Sequence, residues 1–495
     1  MAVSEEVKKQ YVPSIGIETH VQLSTKTKLF SAVGNDARGA ASNSLISHID
    51  TGMPGALPVL NQAAIEQCMR AALALNTQPQ KFSRFERKHY FYPDLPKGYQ
   101  ITQLENPIIV GGFLNVPSPN GEFKVEIERA NLEEDAGKNT HPEGADYSLV
   151  DLNRAGTPLL EVVSRPDIHS AAEAKAFARE MWLTMKYSGV TDGDLYMGHV
   201  RFDVNISVSK EPGKLGTRSE IKNLNSFRSV ENAVAYEIDR QIELLEKGQK
   251  VVQETRGWDE AKQKSIGQRG KEEAQDYRYM PEPDIPPLDL EDEFIKNSCA
   301  EMPIMPQDWR EMISNFGLGK AETETLLDAG TESIGHLINV REAMNSGEAF
   351  ARYVANTIIN IVLPFERYLL ENGSKASTYN RMKIYKETFR LQKENKISSS
   401  NAKILIEKFL NPNTKNLDAE VEKQAEIEGL LQVSDEAEIE KIVAEVLSQN
   451  TKAAEDVKKG EMKAIGFLVG QVMVKSQGKA NPQLAQDIIK KQLSL

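Results

Sequence analysis

The chain has 495 residues, 27% of them charged and 40% hydrophobic, with a formal net charge of −12. This length supplies a large core and room for roughly two to four domains, and the acidic balance argues against indiscriminate nucleic-acid binding while leaving room for a local basic surface. The only two cysteines, Cys68 and Cys299, are far apart with no CxxC, which excludes a disulfide framework and a zinc–cysteine site and leads us to expect a reducing, cytosolic setting. The N-terminus Met-Ala-Val-Ser-Glu-Glu-Val-Lys-Lys lacks the apolar core of a signal peptide. No run approaches the roughly 18–20 apolar residues that span a bilayer.

Taken in order, Val12–Leu23 alternates as a strand, with Ile15, Ile17, Thr19, Val21 and Leu23 on one face and Gly16, Glu18, His20 and Gln22 on the other. The turn-rich Thr51-Gly-Met-Pro-Gly-Ala-Leu-Pro leads to a helix from Asn61 with Ile65, Met69 and Leu73 on one stripe. Residues 81–102 are basic and aromatic, and too rich in Pro and Gly for a helix. Strands are predicted at 107–116 and 123–129. The run Glu133-Glu134-Asp135 then follows as a turn braced by Arg129 or Lys138, with Gly137 supplying its bend. Ser170-Ala-Ala-Glu173 is a capping box for a helix that ends at Gly189. A second alternating strand, 199–209, places Arg201, Asp203, Asn205 and Ser207 on one face. Arg218, Glu220 and Lys222 mark a third, short strand, and Ser226 caps a long helix that stops at Gly248. Residues 257–275 read as a polar loop. Pro281-Glu-Pro-Asp-Ile-Pro-Pro is stiff and extended, with a domain boundary just beyond it. From Met305 onward the pattern is helical, with stops at Gly330, Gly373 and Asn411-Pro412. The last stretch, 451–495, carries eight lysines against four acidic residues, opposite in sign to the whole chain.

The chemistry lies in the polar strand faces. Glu18 and His20, two apart on a strand, share a face about 7 Å apart, and Asp203 with Asn205 repeats the pattern. Carboxylates in this number exceed what salt bridges alone use, and hard oxygen donors favour Mg²⁺ or Mn²⁺ over zinc. Arg87, Lys88 and His89 precede an aromatic turn and Lys97 follows it. Cations beside a Mg²⁺ site are what phosphoryl transfer requires. There is no GxxxxGK[ST] loop, no protein-kinase signature set and no Gly-x-Ser-x-Gly elbow. Neither cysteine has a neighbouring histidine, so covalent nucleophilic catalysis finds no support. The lysines of the tail, with 466–470 and Lys475–Lys479, form a candidate RNA-backbone surface.

Several long motifs resemble a known family. They are Ile17-Glu-Thr-His20; Thr51-Gly-Met-Pro-Gly-Ala-Leu-Pro-Val-Leu-Asn61; Phe85-Glu-Arg-Lys-His-Tyr-Phe-Tyr-Pro-Asp-Leu-Pro-Lys-Gly-Tyr-Gln; and Leu132-Glu-Glu-Asp-Ala-Gly-Lys138. Val150-Asp-Leu-Asn-Arg-Ala-Gly-Thr-Pro-Leu159, Glu220-Ile-Lys-Asn-Leu-Asn-Ser-Phe227 and Asp276-Tyr-Arg-Tyr-Met-Pro-Glu-Pro-Asp284 continue the series. Ala464-Ile-Gly-Phe-Leu-Val-Gly-Gln471 and Lys479-Ala-Asn-Pro-Gln-Leu484 end it. Ordered and spread over the full length, they resemble the B subunit of the tRNA-dependent aspartyl/glutamyl-tRNA(Asn/Gln) amidotransferase.

The resemblance implies an α+β chain: a mixed-sheet cradle domain over 1–295, an all-α helical domain over 296–420, and a small helical YqeY-like tail over 421–495 that contacts tRNA. It implies a ligase that uses ATP and Mg²⁺, with Mn²⁺ possible, to phosphorylate the side-chain carboxylate of Glu or Asp misacylated on tRNA(Gln) or tRNA(Asn). Ammonia then displaces phosphate. An amidase A subunit releases that ammonia from glutamine and passes it through an intersubunit channel, and a small C subunit completes a heterotrimer with no membrane part. Carried over by residue, Glu18, His20, Glu133, Glu134, Asp203 and Glu220 are expected around the metal, and Lys88, His20 and Glu134 in catalysis. Arg87 and Lys97 are expected to contact the nucleotide. The chain departs from the family pattern at Tyr196-Met197-Gly198-His199, usually acidic, and at Arg165, usually Glu. Two other classes compete with this reading: a stand-alone amide ligase with its own ammonia source, and a non-catalytic tRNA-binding scaffold.

Overall fold

The computed structural model describes residues 3–142, 144–270, 276–300, 302–377, 379–414, 417–418, 420–432, 436–459, 461, 463–476 and 480–494. They form two compact units, Met1–Pro306 and Gln307–Leu495.

The first unit is built on a nine-stranded sheet. Val12–Gln22 lies at its centre because every second residue is apolar: Ile15, Ile17 and Val21 are buried, with Thr19 between them. It pairs antiparallel with Val200–Ser209 on one side and Pro158–Ser164 on the other. Beyond Pro158–Ser164 come Gly121–Glu134 and Ile109–Val110; beyond Val200–Ser209 come Ser219–Leu224, Glu254–Asp259 and Lys264–Gly270. The pairing is antiparallel throughout except between Ser219–Leu224 and Glu254–Asp259, so the sheet is mixed.

One face of this sheet is apolar and packs on helices. Phe177, Ala178, Met181 and Met185 of Ala171–Tyr187 join Val230, Ala233 and Val234 of Phe227–Glu246 in a core with Ile15, Ile17, Val204 and Val162. Each fully buried aliphatic side chain contributes about 1.5–3 kcal/mol. A slip of one residue would drive Glu18 and His20 into that core, so the register is strongly specified. Both helices start where their caps predict: the Ser170 side chain accepts from Glu173 N, and Ser226 from Ser229 N. Gly189 and Gly248, each at φ 70°, follow their last turns.

Three local expectations change. Residues 254–270 are a hairpin on the sheet edge, not a loop, because Arg256 and Trp258 alternate with small partners across the pair; 271–275 lie outside the described residues. The strand expected at 107–116 is broken by Gly111 and Gly112 (φ 72° and 112°) into Ile109–Val110 and Phe113–Ser118. The strand expected at 123–129 runs on to Glu134, so Glu133 and Glu134 lie within it and Asp135 follows directly after its end. Gly137 is needed for close approach instead of a bend: a Cβ there would meet Asp151 O at 2.9 Å.

The second unit is helical among the described residues. Lys320–Gly330, Gly335–Met344, Glu348–Thr357, Leu363–Glu371, Arg381–Lys393 and Ser399–Leu410 follow one another, with stops at Gly330, Gly373 and Asn411-Pro412. The short helix Val421–Ile427 packs on Arg381–Lys393. The last four helices, from Glu436 to Leu493, enclose a core of their own that includes Val443, Leu468, Val472, Ile488 and Ile489.

Candidate active site

The face of the sheet away from the helices is polar, and strand register decides which side chains meet there. Across antiparallel neighbours, directly opposed residues share a face. Glu18 stands opposite Asp203, His20 opposite both Glu161 and Arg201, Asn205 opposite Glu220, and Glu161 opposite Asn131. Glu133 follows Asn131 by two and returns to the same face.

Two groups of ligating side chains result. His20, Glu133 and Glu161 form one; Glu18, Asp203 and Glu220 form the other, and within each group the ligand atoms lie within 4.8 Å of one another. Glu18 and His20 are two apart on one strand, so the groups are neighbours. Thr102 Oγ1 donates to Glu133 Oε2 at 2.8 Å, Asn205 Nδ2 to Glu18 Oε1 at 2.9 Å, and Thr255 Oγ1 to Glu220 Oε2 at 2.8 Å. Lys222 Nζ reaches Asp203 at 3.2 Å and Glu220 at 2.9 Å.

The electrostatics show a shortage of positive charge. Burial, then the carboxylates of Glu161 and Glu220, push the Glu18 carboxyl up to about 7. Burial and Glu161 push Glu133 up to about 8, against the pull of Lys88 and Thr102. Burial lowers His20 from its ordinary value despite Asp203 and Glu161, so its imidazole is neutral and free to ligate. Burial works against the Lys88 ammonium, but Glu133, Tyr279, Tyr277 and Glu161 hold its pKa above the usual lysine value; Nζ sits 4.8 Å from the Tyr277 ring centre. Five carboxylates and one neutral imidazole, with two lysines facing them, match the donor set of a hard divalent cation. Such an ion would oppose both causes that raise Glu18 and Glu133, burial first and then the repulsion of neighbouring carboxylates. These residues therefore fit Mg²⁺ or Mn²⁺.

Of the expected metal residues, the structure brings together Glu18, His20, Glu133, Asp203 and Glu220. Glu134 is separated from them. As the next residue along a strand it faces the other side, where its carboxylate is buried against Lys97 Nζ and accepts from Ile101 N at 2.9 Å. Lys97 is thereby engaged in a buried ion pair. Arg87 is likewise compensated: it pairs with Glu282 at 2.7 Å and Asp284 at 3.2 Å and stacks 4.3 Å from the centre of Tyr99. Asp135 is braced by neither Arg129 nor Lys138; Arg201 and Arg154 each reach it at 3.0 Å. Burial disfavours its charge, but those two guanidinium groups hold its carboxyl below the ordinary range.

Glu161 is the residue that sequence reasoning missed. Its signal is a lone carboxylate inside the apolar run Leu159-Leu-Glu-Val-Val163. The departures from the family pattern lie off both groups. Tyr196 is 97% exposed on the loop before Val200–Ser209, and Arg165 pairs at the surface with Glu126 at 3.7 Å. In the tail, Lys475 and Lys491 are paired with Glu445 and Glu440. Residues 477–479 of the Lys475–Lys479 stretch lie outside the described residues.

Residues 13–296 match the family model described as the GatB/GatE catalytic domain, and residues 340–493 match the GatB domain. The chain is 42% identical over 491 residues to the B subunit of the aspartyl/glutamyl-tRNA(Asn/Gln) amidotransferase from Thermotoga maritima, covering 98% of this chain and 99% of that one. It is 41% identical over 493 residues to the protein of the same name from Pseudomonas aeruginosa (98% and 99%), and 40% over 497 to that of Rickettsia bellii (99% of both). No helix among the described residues is long and apolar enough to cross a membrane. The chain belongs to the family of B subunits of the aspartyl/glutamyl-tRNA(Asn/Gln) amidotransferase.

Proposed function

We propose that this chain is the kinase–transamidase subunit of a cytoplasmic heterotrimer, acting on Glu-tRNA(Gln), Asp-tRNA(Asn) or both. A substrate carboxylate oxygen attacks the γ-phosphorus of ATP and ADP leaves, giving an acyl phosphate. Ammonia attacks its carbonyl carbon, phosphate departs with the C–O electron pair, and a proton is lost to give the amide. The amidase A subunit supplies the ammonia through a channel, and a small C subunit joins the two. The observation that carries this reading is the pair of ligand groups on one polar sheet face, His20–Glu133–Glu161 and Glu18–Asp203–Glu220.

Divalent cations held there would offset charge on the nucleotide phosphates and the substrate carboxylate. The protein's own groups do the rest. Lys88, kept protonated beside Glu133, stabilises charge developing on the transferred phosphoryl group. A protonated Glu133 or Glu18 takes no metal, so the site works best once these carboxylates are ionised. Incoming ammonia must be neutral to attack, and a carboxylate of the site, or His20 while its lone pair is not on the metal, accepts a proton from it as the amide forms. Within the proposed three-part division, the cradle (1–295) performs the chemistry, the helical domain (296–420) follows it, and the helical tail (421–495) contacts the tRNA.

The test is reconstitution with the A and C subunits. Mg²⁺-dependent ATP hydrolysis stimulated by misacylated tRNA is expected, with amide formation when glutamine is added. A tRNA-binding scaffold would bind the tRNA and show neither. Assay with both misacylated tRNAs settles which is the substrate.

A further inference from the structure

The two ligand groups do not use every oxygen on the polar face. Asn131 stands directly opposite Glu161, two residues before Glu133 and on the same side of the strand. It is only 4% exposed, and its Oδ1 has no hydrogen-bond partner. A buried acceptor without a donor or cation is costly, so a folded protein rarely keeps one without use. The other buried unpartnered atoms nearby differ in kind or place. The Nε atoms of Arg129 and Arg201 are donors, which repel a cation, and Thr19 lies on the apolar face. Among the described residues, Asn131 Oδ1 is the unpartnered buried acceptor of this face.

We propose that Asn131 Oδ1 is a further ligand of the divalent cation held by His20, Glu133 and Glu161. The proposal rests on the metal-dependent reading above and adds a residue to it. Directly opposed residues have Cβ atoms about 4.5–5.5 Å apart, which puts the Asn131 amide beside the Glu161 carboxylate. A Mg²⁺-type ion takes about six oxygen-type ligands, and amide carbonyls are regular members of such sets. A neutral oxygen also adds no charge to a group already rich in carboxylates. The second group has an asparagine too, but used in the opposite sense. Asn205 turns its Nδ2 onto Glu18 Oε1 at 2.9 Å and so supports a ligand by donating to it. Asn131 is thus tied to one ion and not to the other.

The test uses the full-length chain with Mn²⁺ as the probe, followed by electron paramagnetic resonance of the free ion. The wild type is expected to bind two ions. Asn131→Leu keeps the volume and removes the oxygen; one ion is expected to weaken by about 10–100-fold, with the other unchanged. Asn131→Asp returns an oxygen and is expected to bind both ions at least as tightly as wild type. Wild-type affinity for both ions in Asn131→Leu overturns the proposal. So does loss of both ions in both variants with a lower melting temperature, which marks a structural asparagine. If the wild-type chain binds no Mn²⁺, the metal-dependent reading itself fails.

Discussion

His20 and Glu161 stand directly opposite each other on adjacent antiparallel strands, with their ligand atoms and that of Glu133 within 4.8 Å. The pairing makes Glu161 as much a part of the site as the two residues beside it. Glu161→Gln keeps the size and removes the charge. Amide formation by the reconstituted complex is expected to fall at least about 10–100-fold, with tRNA affinity near wild type. A wild-type rate would remove Glu161 from the site.

Glu133 and Glu134 are neighbours with different work. Lys97 and Glu134 are a buried pair, with side chains 6% and 3% exposed. Removing one partner of such a pair costs about 3–5 kcal/mol, whereas replacing both with apolar groups is often neutral. Glu134→Gln is expected to lower the urea midpoint markedly, and Glu134→Leu with Lys97→Met to restore much of it. Glu133→Gln, by contrast, should abolish activity with little loss of stability. Equal midpoints for wild type and Glu134→Gln would contradict the assignment.

Folding raises the carboxyl pKa of Glu18 to about 7 and of Glu133 to about 8. The folded state therefore holds these protons more tightly than the unfolded chain does. Their contribution to stability is full below the unfolded value of 4.5 and is lost as pH rises through about 7 and 8. In chelator, these two groups make the melting temperature fall between about pH 5 and 8.5. Glu18→Gln with Glu133→Gln should flatten that fall. Added Mg²⁺ should raise the melting temperature more at pH 8 than at pH 6, because the ligands must be ionised to bind it. Calorimetry across the series decides; an unchanged slope in the double variant rules out these groups as its source.

The last four helices have their own core, starting at Glu436. Ending the chain after Gln432 removes that core whole. KM for tRNA is expected to rise by an order of magnitude or more, with kcat largely kept, as for a binding element that acts equally on ground and transition states. Loss of kcat with KM unchanged would show that the tail takes part in the chemistry.

Much of the fold was legible because its signals are local. Strict alternation in Val12–Gln22 and Val200–Ser209, capping by Ser170 and Ser226, and glycine stops at Gly189 and Gly248 each depend on residues a few positions apart. The hairpin at 254–270 was hidden by its polarity: an edge strand half open to water carries no apolar stripe. The acidic run was misplaced because its strand was ended at Arg129, five residues early. With the strand extended, alternation alone separates Glu133 from Glu134.

By itself the sequence determined the family, the alternation that gives each central strand one apolar and one polar face, and five of the six side chains that gather into the two groups, Glu18, His20, Glu133, Asp203 and Glu220. Tertiary structure decided which strands are neighbours and in what register. That placed Glu161 opposite His20, turned Glu134 away to Lys97, gave Asp135 to Arg154 and Arg201, and divided one expected cluster into two. The physical reason is that side-chain period fixes the face a residue takes within its own strand, whereas the partner across the sheet is chosen by burial of the opposite, apolar face against helices distant in sequence.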